Sequence, residues 1–419
     1  MSRPQPASAG ELRKCLFLIL DGLGDLPVSE LDGDTPLEAA STPNLDRFAA
    51  SGQFGQVDPI ARGVVPNTHT GVGMLIGLYP EQAQRLSRGP VEAAGLGRRL
   101  EPGEIAFRAN LATLEKQGGG YHVADRRAGR VTTDSHELAQ VLQEMSLGDG
   151  VTANFVPTDQ HRGALVFSGP GLAADVSDTD PGDRGAPGRL KPCRPLQAES
   201  ALAAEKVNRF IDLAYSRLVD HPLNRERVAA GKLPATGVIT RGAGAYFQVD
   251  NMLEERSIAA AMVAGCNTVA GLAKTFGLDT IGSAGFTAGI DTDVEGKLAA
   301  ARQALDRFPM VYVHVKATDL FSHDFQPAAK KAFIERVDRA LVEWADSGAI
   351  IVLAADHTTD SNSGAHTEHP VPVLIFDPQT PRGGEVINFG EYACEDGNMP
   401  RQTGHELLLR VLARLQSSS

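Results

Sequence analysis

Four short apolar runs constrain this chain more than any other feature. Residues 16–20 (LFLIL) stop at Asp21, and residues 308–315 (FPMVYVHV) run into Lys316. Residues 349–355 (AIIVLAA) stop at Asp356, and residues 371–376 (VPVLIF) form the fourth run. Continuous apolar runs of this length suit strands covered on both faces, as in a parallel sheet. Helical patterns lie between them. In residues 327–344, Phe333, Val337, Leu341 and Trp344 recur at three- and four-residue steps, with Lys330, Lys331, Glu335 and Arg339 on other faces. Residues 43–50 and 404–415 are also amphipathic. Alternation of strand and helix predicts a doubly wound α/β core. The middle of the chain is less regular, and its Gly/Pro/Asp-rich stretch 176–192 reads as a surface loop. The expected division is a core built from residues 11–87 and 286–419, with residues 88–285 inserted as a second α/β (α+β) domain.

A chain of 419 residues has ample material for two such cores. Lys+Arg 40 against Asp+Glu 52 leaves a net charge of −12, which argues against nucleic acid or an anionic membrane as partner. A local basic pocket for a small anion remains compatible with that balance. The run CLFLIL after Arg13 and Lys14 is too short for a signal peptide or a membrane span. Cys15, Cys193, Cys266 and Cys394 show no metal-ligand spacing and read as free thiols. A cytoplasmic protein with a frayed leader over residues 1–10 is expected.

Five of the 11 histidines, His314, His323, His357, His366 and His369, crowd into residues 314–369. Asp319 and His323 are four apart, on one face of a helical turn. Asp356 and His357 follow a strand, where ligand groups gather in open α/β sheets, and Asp21 follows another. His366 comes nine residues later in a polar loop. Each alone has an ordinary reading as a turn or a helix ion pair. Together, acid and imidazole groups on the strand ends of one domain suit two divalent ions. Such a pair clamps the attacking and leaving oxygens of a phosphoryl displacement.

Thr68, within PNTHTG, reads either as a helix cap or as a nucleophile. Its neighbour His69 reads as structural. Arg126, Arg127 and Arg130 surround Asp125 in ADRRAGRV, and Arg162, Arg241 and Lys316 are further cations. Arginine suits bidentate contacts to carboxylate or phosphate, so these are candidates for an anion pocket. Asp125 is either a general base for a substrate hydroxyl or the partner in an ion pair.

LILDGLGD from Leu18, SRGPVEAAGLG from Ser87, DRRAGR from Asp125, ITRGAGA from Ile239, VHVKATDLFSHD from Val313, AADHTT from Ala354 and HTEHPVPVLI from His366 carry a family resemblance. They resemble the archaeal-type 2,3-bisphosphoglycerate-independent phosphoglycerate mutases, of the alkaline phosphatase superfamily, over nearly the whole chain. The resemblance implies an alkaline-phosphatase-like core and interconversion of 3-phosphoglycerate and 2-phosphoglycerate, a step of glycolysis and gluconeogenesis. It implies one metal held by Asp319, His323 and His366, and a second held by Asp21, Asp356 and His357 with the nucleophile's oxygen. Mn²⁺ is the first expectation, with Zn²⁺, Co²⁺ or Mg²⁺ as alternatives and no 2,3-bisphosphoglycerate. It also implies Thr68 as nucleophile, and Arg126, Arg162, Arg241 and Lys316 as contacts to a small phosphorylated acid, under an insert that closes over it. The chain departs from the family where many archaeal members resemble P-G-S-D-T-A-H. Asn67 stands for glycine, Thr68 for serine and His69 for aspartate. Branches of the superfamily that use threonine include phosphonate hydrolases, so the alternative expectation is a phosphomonoester or phosphonate hydrolase.

Overall fold

The computed structural model describes residues 12–417 apart from 133, 159, 183–187, 247–248 and 383–386. The expected leader and part of the 176–192 loop lie outside those residues. Two compact units form: one ends at Gln84 and resumes at Val249, and the other is Arg85–Gln248.

The larger unit is built on an eight-stranded sheet. Its strands are β1 (Cys15–Leu20), β2 (Gln53–Asp58), β3 (Ala260–Val263), β4 (Asp279–Ile281), β5 (Met310–Val315), β6 (Ile350–Ala354), β7 (Val371–Phe376) and β8 (Gln402–Thr403). Their order across the sheet is β4-β3-β5-β1-β6-β7-β2-β8. Every residue of β1, β5 and β6 is buried, as expected of strands whose apolar side chains need cover on both faces. These three run side by side and parallel, with Leu20 opposite Val315 and Ile19 opposite Ala354. Their C-terminal ends therefore open onto one edge.

Three details differ from expectation. β7 is antiparallel to both β6 and β2, so the sheet is mixed. The boundary expected after residue 285 falls inside the larger unit instead. The short run AAMV forms β3, which pairs with β5 and β4, with helix Asn267–Thr275 between β3 and β4. A four-residue strand carries too little pattern to be told from loop in the sequence. Finally, the helix of residues 327–344 ends as Pro327–Ala340, and Lys330, expected on a face other than the apolar one, is fully buried.

The smaller unit is antiparallel. Its strands lie in the order Met145–Gly148, Val151–Pro157, Arg162–Ser168, Glu104–Gln117, Gly120–Asp125, Gly188–Arg189, and Gly237–Ala245 also pairs with Glu104–Gln117. Helix Ala201–Leu218 contributes Val207, Phe210, Ile211 and Leu218 to the same core as Phe107, Phe155 and Phe167 of the sheet. This makes the insert an α+β unit.

Candidate active site

Because β1, β5 and β6 end together, the first polar residues after them meet. The Asp21 carboxylate lies 2.8 Å from Lys316 Nζ and 3.2 Å from His357 Nε2 through Oδ1. Its Oδ2 is 3.0 Å from Nε2 of His314, an inward-facing residue of β5. Lys316 also pairs with Asp319 Oδ2 at 2.6 Å. Asp319 and His323 sit on helix Ala317–His323, one turn apart, with His323 Nε2 3.3 Å from Asp319 Oδ1. His366 reaches the same oxygen at 3.4 Å. It gets there through a hairpin in which Thr359 stands opposite His366, with Gly364 at φ 63° in the left-handed region its turn demands. His369, by contrast, is exposed and outside this group.

The threonine question has a local answer. Asn67 is the N-cap, and its backbone N–H donates to Thr70 Oγ1 at 3.1 Å. Thr68 is instead the first residue of helix Thr68–Leu75, and its hydroxyl is not used as a cap. That hydroxyl is buried, 3.3 Å from the Lys316 ammonium that donates to it and 3.4 Å from His357 Nε2. His69 is half-buried beside it.

The histidine tautomers test whether metal ions fit. His323 Nδ1 is 2.8 Å from the Gly364 carbonyl and His366 Nδ1 is 3.1 Å from the Pro66 carbonyl. A carbonyl only accepts, so both Nδ1 atoms donate. Thr359 donates its own proton to Asp319 Oδ1 at 2.8 Å, so it accepts from His357 Nδ1 at 2.9 Å. With Nδ1 donating, Nε2 is the atom of each ring left to take a metal ion or a proton, and in all three it faces carboxylate or hydroxyl oxygens. The hydrogen bond to Asp319 raises the pKa of His323. A lone pair facing oxygen repels unless a proton or a metal ion lies between, and anchoring Nδ1 is how proteins orient metal-binding histidines. Among the described residues, buried Asp356 Oδ2 has no hydrogen-bond donor, though His357 Nε2 lies 3.3 Å away, and the Asp356 carboxyl is held well above the usual range by burial and by Asp21. Burial pushes His357 down to about 4, although Asp21 opposes this, so the ring is neutral at pH 7. Burial also opposes charge on Asp21 and Asp319, yet Lys316 and the histidines hold both carboxyls low. Asp319, His323 and His366 form one group able to hold an ion, and Asp21 forms others with His357 and Asp319 or with His314 and Asp356. The sequence counts His314 in the histidine cluster but gives it no role beside Asp21. As one histidine in an apolar strand, it carries no pattern that separates it from a core residue.

In the smaller unit, the side chains of Arg162 and Arg241 keep buried Nε–H groups without acceptors among the described residues. Arg126 differs, because Asp180 engages it through both Nε, at 2.7 Å, and Nη2. Burial, and repulsion from Arg88 among others, lowers Arg241 to about 10. His161 is buried among Arg162, Arg127, Arg241 and Arg130, and burial and these charges lower it to about 3. Asp180 also lies 3.9 Å from Arg241 Nη1, and a cluster of arginines served by one shared carboxylate in an acidic chain suits a small polyanion. Asp125 Oδ1 accepts from the N–H groups of Arg127 at 2.7 Å and Gly129 at 3.1 Å, which shapes the loop. No ion pair to an arginine involves Asp125 among the described residues.

A family model described as 2,3-bisphosphoglycerate-independent phosphoglycerate mutase matches residues 49–224. A protein of that name from Ignicoccus hospitalis is 40% identical over 406 residues, spanning 95% of this chain and 96% of its own. The chain belongs to this family. Another 2,3-bisphosphoglycerate-independent phosphoglycerate mutase, from Methanopyrus kandleri, is 39% identical over 412 residues, 96% of each chain. Among solved structures, a Pyrococcus horikoshii protein superposes with a TM-score of 0.80 at 29% identity, over 97% of this chain and 99% of that one. The cofactor-independent phosphoglycerate mutase of Thermoplasma acidophilum gives a TM-score of 0.65 at 29% identity, over 97% and 100%. No described helix is long and apolar enough to cross a membrane.

Proposed function

We propose that this chain is an isomerase that interconverts 3-phosphoglycerate and 2-phosphoglycerate without 2,3-bisphosphoglycerate, through a phosphothreonine at Thr68. The observation that carries the proposal is the Thr68 hydroxyl, released from capping and held against Lys316 and His357. Asp319, His323 and His366 hold one divalent ion, and Asp21, Asp356 and His357 with Thr68 hold a second. The mixed carboxylate and imidazole set suits Mn²⁺, with Zn²⁺, Co²⁺ or Mg²⁺ also accommodated. When bound, the metals lower the pKa of the nucleophile and neutralise charge on the phosphoryl group.

Thr68 Oγ1 gives up its proton and attacks phosphorus, the bond from phosphorus to the glycerate oxygen breaks, and that oxygen takes up one proton in return, so the step is proton-neutral. Glycerate then presents its other hydroxyl, which attacks the phosphothreonine and returns Thr68 to its free form. Lys316, beside Oγ1, offsets the negative charge that develops there. Arg162 and Arg241 bind the anionic groups of the substrate, and Arg126, braced by Asp180, completes that set. Asp125 takes the proton from the attacking glycerate hydroxyl, using the carboxylate oxygen not committed to the loop. His314 orients Asp21. The four free cysteines suit a reducing cytoplasm.

Phosphorus NMR of the metal-loaded protein with 3-phosphoglycerate tests this reading. Formation of 2-phosphoglycerate without added bisphosphoglycerate, lost in Thr68→Ala, is the expected result. Free phosphate as the sole product would replace it with the hydrolase that threonine serves elsewhere in the superfamily.

A further inference from the structure

Behind the carboxylate–histidine cluster lies a second, fully buried polar group that the proposed reaction does not use. Lys330 Nζ, on helix Pro327–Ala340, donates to Asp25 Oδ2 at 2.7 Å, to Ser322 Oγ at 2.9 Å and to the Gly24 carbonyl at 3.3 Å. The Thr359 carbonyl lies 3.5 Å away. Asp25 in turn accepts from the Ser361 N–H at 2.8 Å and from its hydroxyl at 2.6 Å. Both side chains of the ion pair are 0% exposed.

The attachment points have a pattern. Asp25 belongs to the loop that carries Asp21, Ser322 precedes His323 on the helix that carries Asp319, and Ser361 lies on the hairpin between His357 and His366. Thr359 joins the two layers: its N–H donates to Gly24 O at 3.0 Å while its hydroxyl contacts both Asp319 and His357. A buried ion pair often stabilises a fold no more than an apolar pair of similar volume, so stability alone does not account for this one.

We infer that the Lys330–Asp25 pair, with Ser322 and Ser361, is a positioning device that holds three chain segments in register for the metal held by Asp319, His323 and His366. The inference rests on the two-metal reading above. The pair is polar because it must bind main-chain carbonyls and hydroxyls from three segments at one point, which an apolar side chain cannot do. Partners behind the ligands typically change metal affinity by about 10- to 100-fold.

The test is titration of the chelator-stripped full chain with Co²⁺ alone, followed by calorimetry and by the visible absorption of the bound ion. Lys330→Met leaves a lone buried carboxylate and is liable to misfold, so the variant used is the double change Asp25→Asn with Lys330→Met. Ser361→Ala serves as a milder second variant. Wild type is expected to bind two ions. The double variant is expected to bind one of them 10- to 100-fold more weakly and the other within about threefold of wild type, with Ser361→Ala shifting the same site by less. On a His366→Ala background the double change should add less than about twofold, because the affected site is already broken. Equal weakening of both sites, or unchanged affinity with a lowered melting temperature, would overturn the inference and leave a pair that serves only the fold. Fewer than two ions on wild type would instead sink the two-metal reading beneath it.

Discussion

A hydroxyl is a weak nucleophile at neutral pH, so the groups around Thr68 Oγ1 decide whether it reacts. Thr68→Ser keeps the hydroxyl and should retain the mutase within about tenfold. Thr68→Ala should lower kcat by ~10⁴-fold or more, the scale of loss when a nucleophile is removed. Lys316 touches Asp21, Asp319 and Thr68 at once. Lys316→Met should therefore lower kcat by roughly 10²- to 10³-fold, as removal of one preorganised electrostatic donor does, with the substrate KM changing less. His161 allows a pH prediction. Its folded pKa, about 3, lies below the ordinary value of 6.5, so the unfolded chain takes up the proton first. Stability attributable to this group is complete above pH 6.5 and is lost as pH falls towards 3, by up to ~1.4 kcal/mol per pH unit in that window. Hydrogen–deuterium exchange in strand Arg162–Ser168, taken relative to the intrinsic amide rate at each pH, should rise between pH 7 and pH 4.5, and His161→Gln should flatten that rise. An equal rise in the variant would show that other groups cause it.

At the scale of elements, the site depends on how closely helix Thr68–Leu75 approaches the end of β6. A Cβ added at Gly71 would lie 2.1 Å from the Asp356 carbonyl oxygen and 2.8 Å from its carbon. Backbone cannot swing aside as a long side chain can, so Gly71→Ala must push the helix away. Overpacking of this kind costs about 1–3 kcal/mol. Because the same helix carries Thr68 at its head, activity should fall by about 10²-fold, the effect of displacing a reacting group by an ångström. A variant that loses stability but keeps full kcat would show that Thr68 is positioned independently of the helix. The strand ends were readable in the sequence because a long apolar run stopped by Asp21 or Asp356 has few alternatives. Lys330 was not. Helical periodicity places a lysine on a face, but it does not reveal that the face is covered by a loop holding Asp25 from 305 positions away.

For the molecule as a whole, metal removal is the most general perturbation. A chelator should abolish the mutase, and Mn²⁺ should restore it. Each ion at about 100 times its Kd should stabilise the folded chain by ~2.7 kcal/mol, seen as a rise in melting temperature with metal concentration. Restored activity with no thermal shift would mean that the ions bind too weakly to be linked to folding.

The sequence by itself determined the composition of the chemistry. Asp21, Asp319, His323, Asp356 and His357 were legible as candidates because acids and imidazoles at strand ends and at one-turn spacing repeat a local rule, whereas His366, in a polar loop, was placed with them by the family resemblance. The likeness of motifs along the chain carried the family. What only the tertiary structure decided was which groups share one volume. His314 beneath Asp21, the choice of Asn67 over Thr68 as cap, the capture of Arg126 by Asp180 and the buried Lys330–Asp25 pair all join residues whose separation along the chain carries no signal. Periodicity reports the faces of single elements. Electrostatics depends on distances between elements, and those exist only once the sheet has aligned its strand ends.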